Sequence, residues 1–238
     1  MKGSPLGRTK ARDGAAARIA ELSAVVIFGD VVGSRRDPSA AAEWLRHLVE
    51  ELDQAYGEQR LAPFGFTQGD ELQGLLVANA DPLEAVLHAG LSPEARPIRW
   101  VCVMGGVDPG EGPATQRTGR AFLAARDAIG TARKRHDRLV IRTGKAEADE
   151  LLAGMTPALA DLLEGLTPRQ RAVARMALIE SLRQSEVADR LGVRRATISV
   201  SFMRARVQTL QRLVAAIRKV YSGAGTPSDS GDGLGHLP

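Results

Sequence analysis

The chain has 238 residues, 44% of them hydrophobic, 25% charged and 4% aromatic, with a net charge of +4 at pH 7. That length suits one large domain or two modest ones, and the composition excludes a collagen-like or wholly disordered chain. A single cysteine, Cys102, excludes an intramolecular disulfide, and no apolar run approaches the ~20 residues that cross a bilayer.

Residues 1–22 carry scattered Arg and Lys without a signal-like apolar run, so they read as a flexible start to a cytoplasmic protein. Ala24–Phe28 is a short apolar strand ending in Gly29-Asp30. Asp37 then caps a helix opened by Pro38 and running to Gln59, with Leu45, Leu48, Val49 and Leu52 at helical spacing. Leu61–Thr67 and Leu72–Val77 flank Gln68-Gly69-Asp70-Glu71 as a hairpin. Asp81-Pro82 opens a second helix to about Leu91. Ile98–Val107 reads as a strand broken by Gly105-Gly106, with Cys102 a small buried hydrophobe inside it. Thr118–Lys134 suits a third helix, Arg138–Arg142 a fifth strand, and Ala146–Leu152 the start of further helix. The predicted order β-α-β-β-α-β-α-β is that of a ferredoxin-like palm with an added strand, so the expected fold class is α+β.

From Thr167 the pattern is helical only. Thr167-Pro168 caps one helix, Gln184–Leu191 forms a short second, Gly192 turns the chain, and Arg194–Ile217 forms a longer third. The domains expected are therefore a palm over 23–150, a linker helix over 151–166, a helix-turn-helix module over 167–221 and a disordered tail over 222–238. Charge follows this division. Residues 167–221 hold 12 Arg and Lys against three acids, whereas residues 23–166 hold 15 basic and 21 acidic residues. A basic block on a mildly acidic body points to a polyanionic partner, or else to an Arg-rich solvated face.

Two carboxylates stand out in the first half. Asp30 follows the first strand and Asp70 sits at the hairpin tip, so a ferredoxin-like sheet would bring both to one place. Two hard oxygen ligands there suit Mg²⁺ carrying nucleotide phosphates. Gly29, Gly33 and Gly69 would let a phosphate approach backbone N–H groups, with Ser34 beside them. As a plain alternative, Gly69-Asp70 is an ordinary turn and Asp30 caps a loop. The histidines show no ligand spacing, so zinc is not expected, and Arg133-Lys134-Arg135 reads as a solvated helix end.

Phe28–Ser34 resembles the first-strand motif of class III nucleotidyl cyclases, and Gly69-Asp70 falls where their second metal aspartate does. Gln68–Leu72 is similar to the diguanylate cyclase signature, and Arg99–Val107 to the cyclase central strand. Gly119 and Ala124-Ala125-Arg126 are similar to the segment that supplies a transition-state Asn and Arg. GDVVGSR with QGDELQG also resembles the bacterial SatD family. The cyclase resemblance implies metal binding by Asp30 and Asp70 and phosphate binding by Arg126. It also departs: Phe122 occupies the Asn position, and a phenyl ring donates no hydrogen bond. The expectation is a nucleotide-sensing, catalytically impaired domain taking Mg²⁺ with a purine nucleotide or cyclic (di)nucleotide. An active nucleotidyl cyclase or nucleotidyltransferase, and a palm that is only a dimerisation scaffold, remain open.

Residues 166–199 resemble region 4 of sigma-70-type factors and LuxR-type modules. This implies a double-stranded DNA partner and a nucleoid-associated transcription regulator. Arg195, Thr197, Ser199 and Ser201 would reach base edges, while Arg169, Arg171, Arg194, Arg204 and Arg206 would meet phosphates. Val207, Leu210, Leu213, Val214 and Ile217 continue an apolar stripe that either pairs with a second copy or packs on the palm. A homodimer without membrane contact is expected.

Overall fold

The computed structural model describes residues 21–67 and 70–225. Residues 1–20 of the expected flexible start, Gln68, Gly69 and residues 226–238 of the expected tail lie outside the described residues, whereas Leu22, expected in that start, already belongs to the first strand. In chain order the elements are β1 (Leu22–Val31), α1 (Pro38–Tyr56), β2 (Arg60–Phe66), β3 (Glu71–Val77), α2 (Leu83–Gly90), β4 (Ile98–Val107), α3 (Arg120–Arg135) and β5 (Leu139–Arg142). Five helices follow: α4 (Ala146–Glu164), α5 (Pro168–Leu178), α6 (Gln184–Leu191), α7 (Arg195–Arg204) and α8 (Val207–Gly225). The architecture is mixed α+β, a five-stranded sheet with helices.

The sheet order is β2-β3-β1-β4-β5. The central strand β1 is antiparallel to β3 and β4, β2 is antiparallel to β3, and β5 is parallel to β4. Alternation along β1 separates two cores. Ala24, Val26 and Phe28 face one side with Val101 and Val103, where Phe122, Ala125 and Ile129 of α3 cover them. Val25, Ile27 and Val31 face the other with Ile98, Trp100 and Cys102, under α1 and α2. Cys102 is buried, as expected, and burial pushes its thiol up, away from nucleophilic use.

The second core continues beyond the sheet through Leu159 and Leu163 of α4, Val173 of α5, Ile198 of α7, and Val207, Leu210, Val214, Ile217 and Tyr221 of α8. The stripe on α8 thus packs inside its own chain, along α4. Polar junctions also tie the helices to the sheet body. Arg218 of α8 pairs with Asp81 at 2.6 Å, and Arg175 of α5 pairs with Glu51 of α1, which also meets His88 of α2 at 2.6 Å. Burial alone would raise the Glu51 carboxyl, but the hydrogen bonds from His88 and Arg175 outweigh it and hold the group below the usual carboxylate range.

Several predicted boundaries differ, and α1 ends at Tyr56 instead of Gln59. β1 runs on through Asp30 to Val31, because Asp30 and Val31 still pair with Arg99 and Ile98. β4 is unbroken: Gly105 and Gly106 stay in register with Ala24 and Ser23, since glycine removes a side chain but keeps its ladder groups. The predicted third helix of the C-terminal block is two helices. Arg206, at φ 51°, turns the chain between α7 and α8 so that α8 can lay its stripe on α4. Helix α8 also extends to Gly225, past the expected tail start at 222. Among the described residues no helix is long and apolar enough to cross a membrane.

Candidate functional site

Two surfaces carry the candidate residues. The first is built by α5, α6 and α7. A capping box starts α5: the Thr167 hydroxyl accepts from the Gln170 amide at 3.3 Å, and the Gln170 side chain accepts from the Thr167 amide at 2.8 Å. Helix α6 ends on Gly192, whose φ of 60° is the left-handed turn that only glycine takes without cost. Helix α7 buries Ile198 and Phe202 against the core that holds Val173, Val187 and Ala188. Its other side leaves Arg195, Thr197, Ser199 and Arg204 exposed.

A groove of about 540 Å³ runs between the start of α5 and this outer side, lined by Thr167, Arg169, Gln170, Thr197, Ser201 and Arg204 among others. Four of the candidate residues, Arg169, Thr197, Ser201 and Arg204, therefore meet on one surface. Ser201 turns its hydroxyl back onto the Thr197 carbonyl at 2.9 Å, so its donor is spent within the helix. Arg194 is exposed at the N-cap of α7 and Arg206 in the turn at its other end. Arg171 does not join them. Residues two apart on a helix point to opposite sides, and Arg171 faces inward to a cavity lined by Arg96 and Arg138.

The second surface lies where β1 ends. Asp30, 6% exposed, stands opposite Glu71 of β3 and Arg99 of β4. Arg99 Nη1 donates to Asp30 Oδ2 at 2.6 Å, and its Nε donates to the Asp137 carbonyl at 3.1 Å. From α3, Arg133 donates to Asp30 Oδ1 at 2.6 Å and to Oδ2 at 3.1 Å. These hydrogen bonds hold the Arg133 guanidinium above its usual value, against some desolvation, with the charges of Asp30, Glu71 and Asp70 adding to them. Asp70 accepts a hydrogen bond from the Ser34 hydroxyl, and its carbonyl accepts from the Val31 amide at 3.0 Å. Gly33 sits beside Ser34 with φ 77°.

The structure thus brings Asp30, Asp70, Gly33 and Ser34 to one end of the sheet. It does not bring Gly29 or Arg126 there. Gly29 faces the opposite side, where a Cβ would come within 3.0 Å of the Trp100 ring, so its smallness serves packing. Arg126 lies seven residues before Arg133, about 10 Å along α3, and lines a separate depression with Arg117, Arg120 and Asp108. Gly69 is outside the described residues. Phe122 is core, its ring centroid 6.1 Å from that of Phe28.

The residues at this sheet end do not fit a bound Mg²⁺ as arranged. Both Asp30 oxygens are taken by guanidiniums, and no group of three or more His, Cys, Asp or Glu suited to a metal occurs among the described residues. Arg99 and Arg133 are the residues that sequence reasoning missed. Arg99 had a signal, since an arginine between Ile98 and Trp100 in an apolar strand must find a buried carboxylate. Arg133, in a run of three cations 103 residues from its partner, had none.

In comparison with known proteins, residues 24–207 fit the family model described as the SatD family, a span from β1 to the start of α8 that contains both surfaces. No curated protein and no solved structure matches the chain.

Proposed function

We propose, from the premise that the chain belongs to the SatD family, that it is a DNA-binding transcription regulator whose sheet body senses a nucleotide. In this reading the body over 23–150 is a cyclase-like, ferredoxin-like palm, and residues 167–221 are a helix-turn-helix module linked to it through 151–166. The strand order β2-β3-β1-β4-β5, with β1 antiparallel to both neighbours, supports the first assignment. The short helix, left-handed Gly192 and exposed basic α7 support the second.

The observation that carries the DNA reading is the groove beside α7. Arg195 and Thr197 stand exposed near the N-terminus of a helix held by its buried Ile198 and Phe202, where side chains reach major-groove base edges. Arg169 and Arg204 flank them as phosphate contacts. A homodimer would set two such helices about 34 Å apart, one turn of the duplex. In fluorescence anisotropy, Arg195→Ala is expected to cost about 1–3 kcal/mol at a cognate site and to relax its sequence preference. Arg204→Ala is expected to weaken all duplexes alike and to lower the salt slope by about one. Indistinguishable variants would mean that the two roles are misassigned.

Gly33, with its left-handed backbone, and Ser34 beside it are the groups at this sheet end that suit a phosphate, and they support the sensing role. The internal neutralisation of Asp30 favours a second reading, a body that is only a scaffold. Calorimetry with ATP, GTP and cyclic dinucleotides, each with and without Mg²⁺, separates them. Binding of any of them supports the sensor, and no heat from all of them leaves the scaffold.

A further inference from the structure

On the sheet face opposite Asp30 lies a half-open cavity of about 150 Å³, walled by the end of α2, the starts of β4 and β5, the end of α4 and helix α5. Its walls are apolar, including Ile98, Trp100, Leu139 and Leu163, but three arginines line it: Arg96, Arg138 and Arg171. Arg138 pairs with Glu164 at 3.0 Å. Arg96 and Arg171 have no ion pair among the described residues, and the Nε of Arg171 is buried without a hydrogen-bond partner. A buried guanidinium N–H left unpaired is costly, and native structures pair such groups with protein, water or a bound ion.

We propose that this cavity binds the phosphoryl group of a small phosphate compound, inorganic phosphate or a phosphomonoester, against Arg96 and Arg171. Three arginines and Glu164 leave two positive charges at the cavity. A phosphomonoester carries about −1.5 to −2 at pH 7 and neutralises them, whereas a monocarboxylate does not. The forked donors of arginine match phosphoryl oxygens in pairs. Size selects as well. Sites for drug-sized ligands occupy roughly 300–1,000 Å³, so a cavity of about 150 Å³ seats a phosphoryl group with a short apolar body and little more. The site is independent of the nucleotide reading, which concerns the other face. It spans the joint between α4 and α5, so its occupant contacts both the sheet body and the helix that carries Arg169.

Calorimetry on the full chain with inorganic phosphate and with phenyl phosphate tests the proposal. Single-site binding is expected, strengthening as pH rises and the dianion forms, through about 6 for phenyl phosphate and about one unit higher for inorganic phosphate. Tighter binding of phenyl phosphate identifies an ester as the ligand type, and tighter binding of inorganic phosphate identifies the free anion. Arg171→Lys, which keeps the charge but loses the Nε donor, and Arg96→Gln, at a loop position, are each expected to weaken binding at least tenfold. Arg212→Gln, exposed on α8, is expected to leave it unchanged. No heat from either probe at millimolar concentration, or equal losses in all three variants, would overturn the assignment.

Discussion

Asp30→Ala is expected to lower the unfolding free energy by about 3–5 kcal/mol, the range for removing one partner of a buried ion pair. The two guanidiniums on Asp30 are not equivalent. The Arg133 side chain is 48% exposed and returns to water at little cost, whereas that of Arg99 is 9% exposed and stays behind as an unpaired buried charge. Asp30→Asn keeps the shape but not the charge, so it is expected to lose most of the same stability. Changing both members, Asp30→Leu with Arg99→Met, is expected to recover much of it, because a well-packed apolar pair replaces a desolvated one at little net cost. Urea unfolding monitored by circular dichroism reads all three. A loss below about 1 kcal/mol in Asp30→Ala would mean that the pair behaves as an exposed one.

Ile217→Ala should also be costly, by about 2–5 kcal/mol, from lost transfer free energy plus the cavity left behind. Ile217 is fully buried on α8, in the core that also holds Trp44 and Trp100 of the sheet body. The informative feature is cooperativity. Since the core runs from the sheet to α8, tryptophan fluorescence, which reports the sheet body, and far-ultraviolet ellipticity, dominated by the helices, should fall in one coincident transition in both wild type and variant. Separate transitions, with the helices melting first, would mean that the shared core does not couple the two parts.

Local signals in the sequence located the elements well. Apolar alternation and run length found all five strands, and Asp37-Pro38, Thr167-Pro168 and Gly192 marked helix ends whose caps the structure contains. The misses arise where tertiary packing overrides a local cue. Glycines 105 and 106 read as a break, yet pairing with β1 carries the strand through them. A continuous helical period hid the turn at Arg206, which docking of α8 on α4 imposes. The candidate site was legible as pieces. Asp30 and Asp70 converge as strand order implied, but the guanidiniums on Asp30 come from positions 99 and 133, and no spacing rule links them to it. Arg171 lies away from the groove that holds Arg169 for a reason the sequence did contain, the two-residue offset between them.

The proposed function depends on the basic α5–α7 surface gripping a duplex. Anisotropy of the full chain titrated onto a labelled random-sequence duplex, from low to physiological salt, tests this most directly. Arg169, Arg194, Arg204 and Arg206 on phosphates predict binding at low salt, with log affinity falling linearly against log salt at a slope of about −3 to −4. Absence of binding to any duplex at low ionic strength would contradict the account, whatever the sheet body holds.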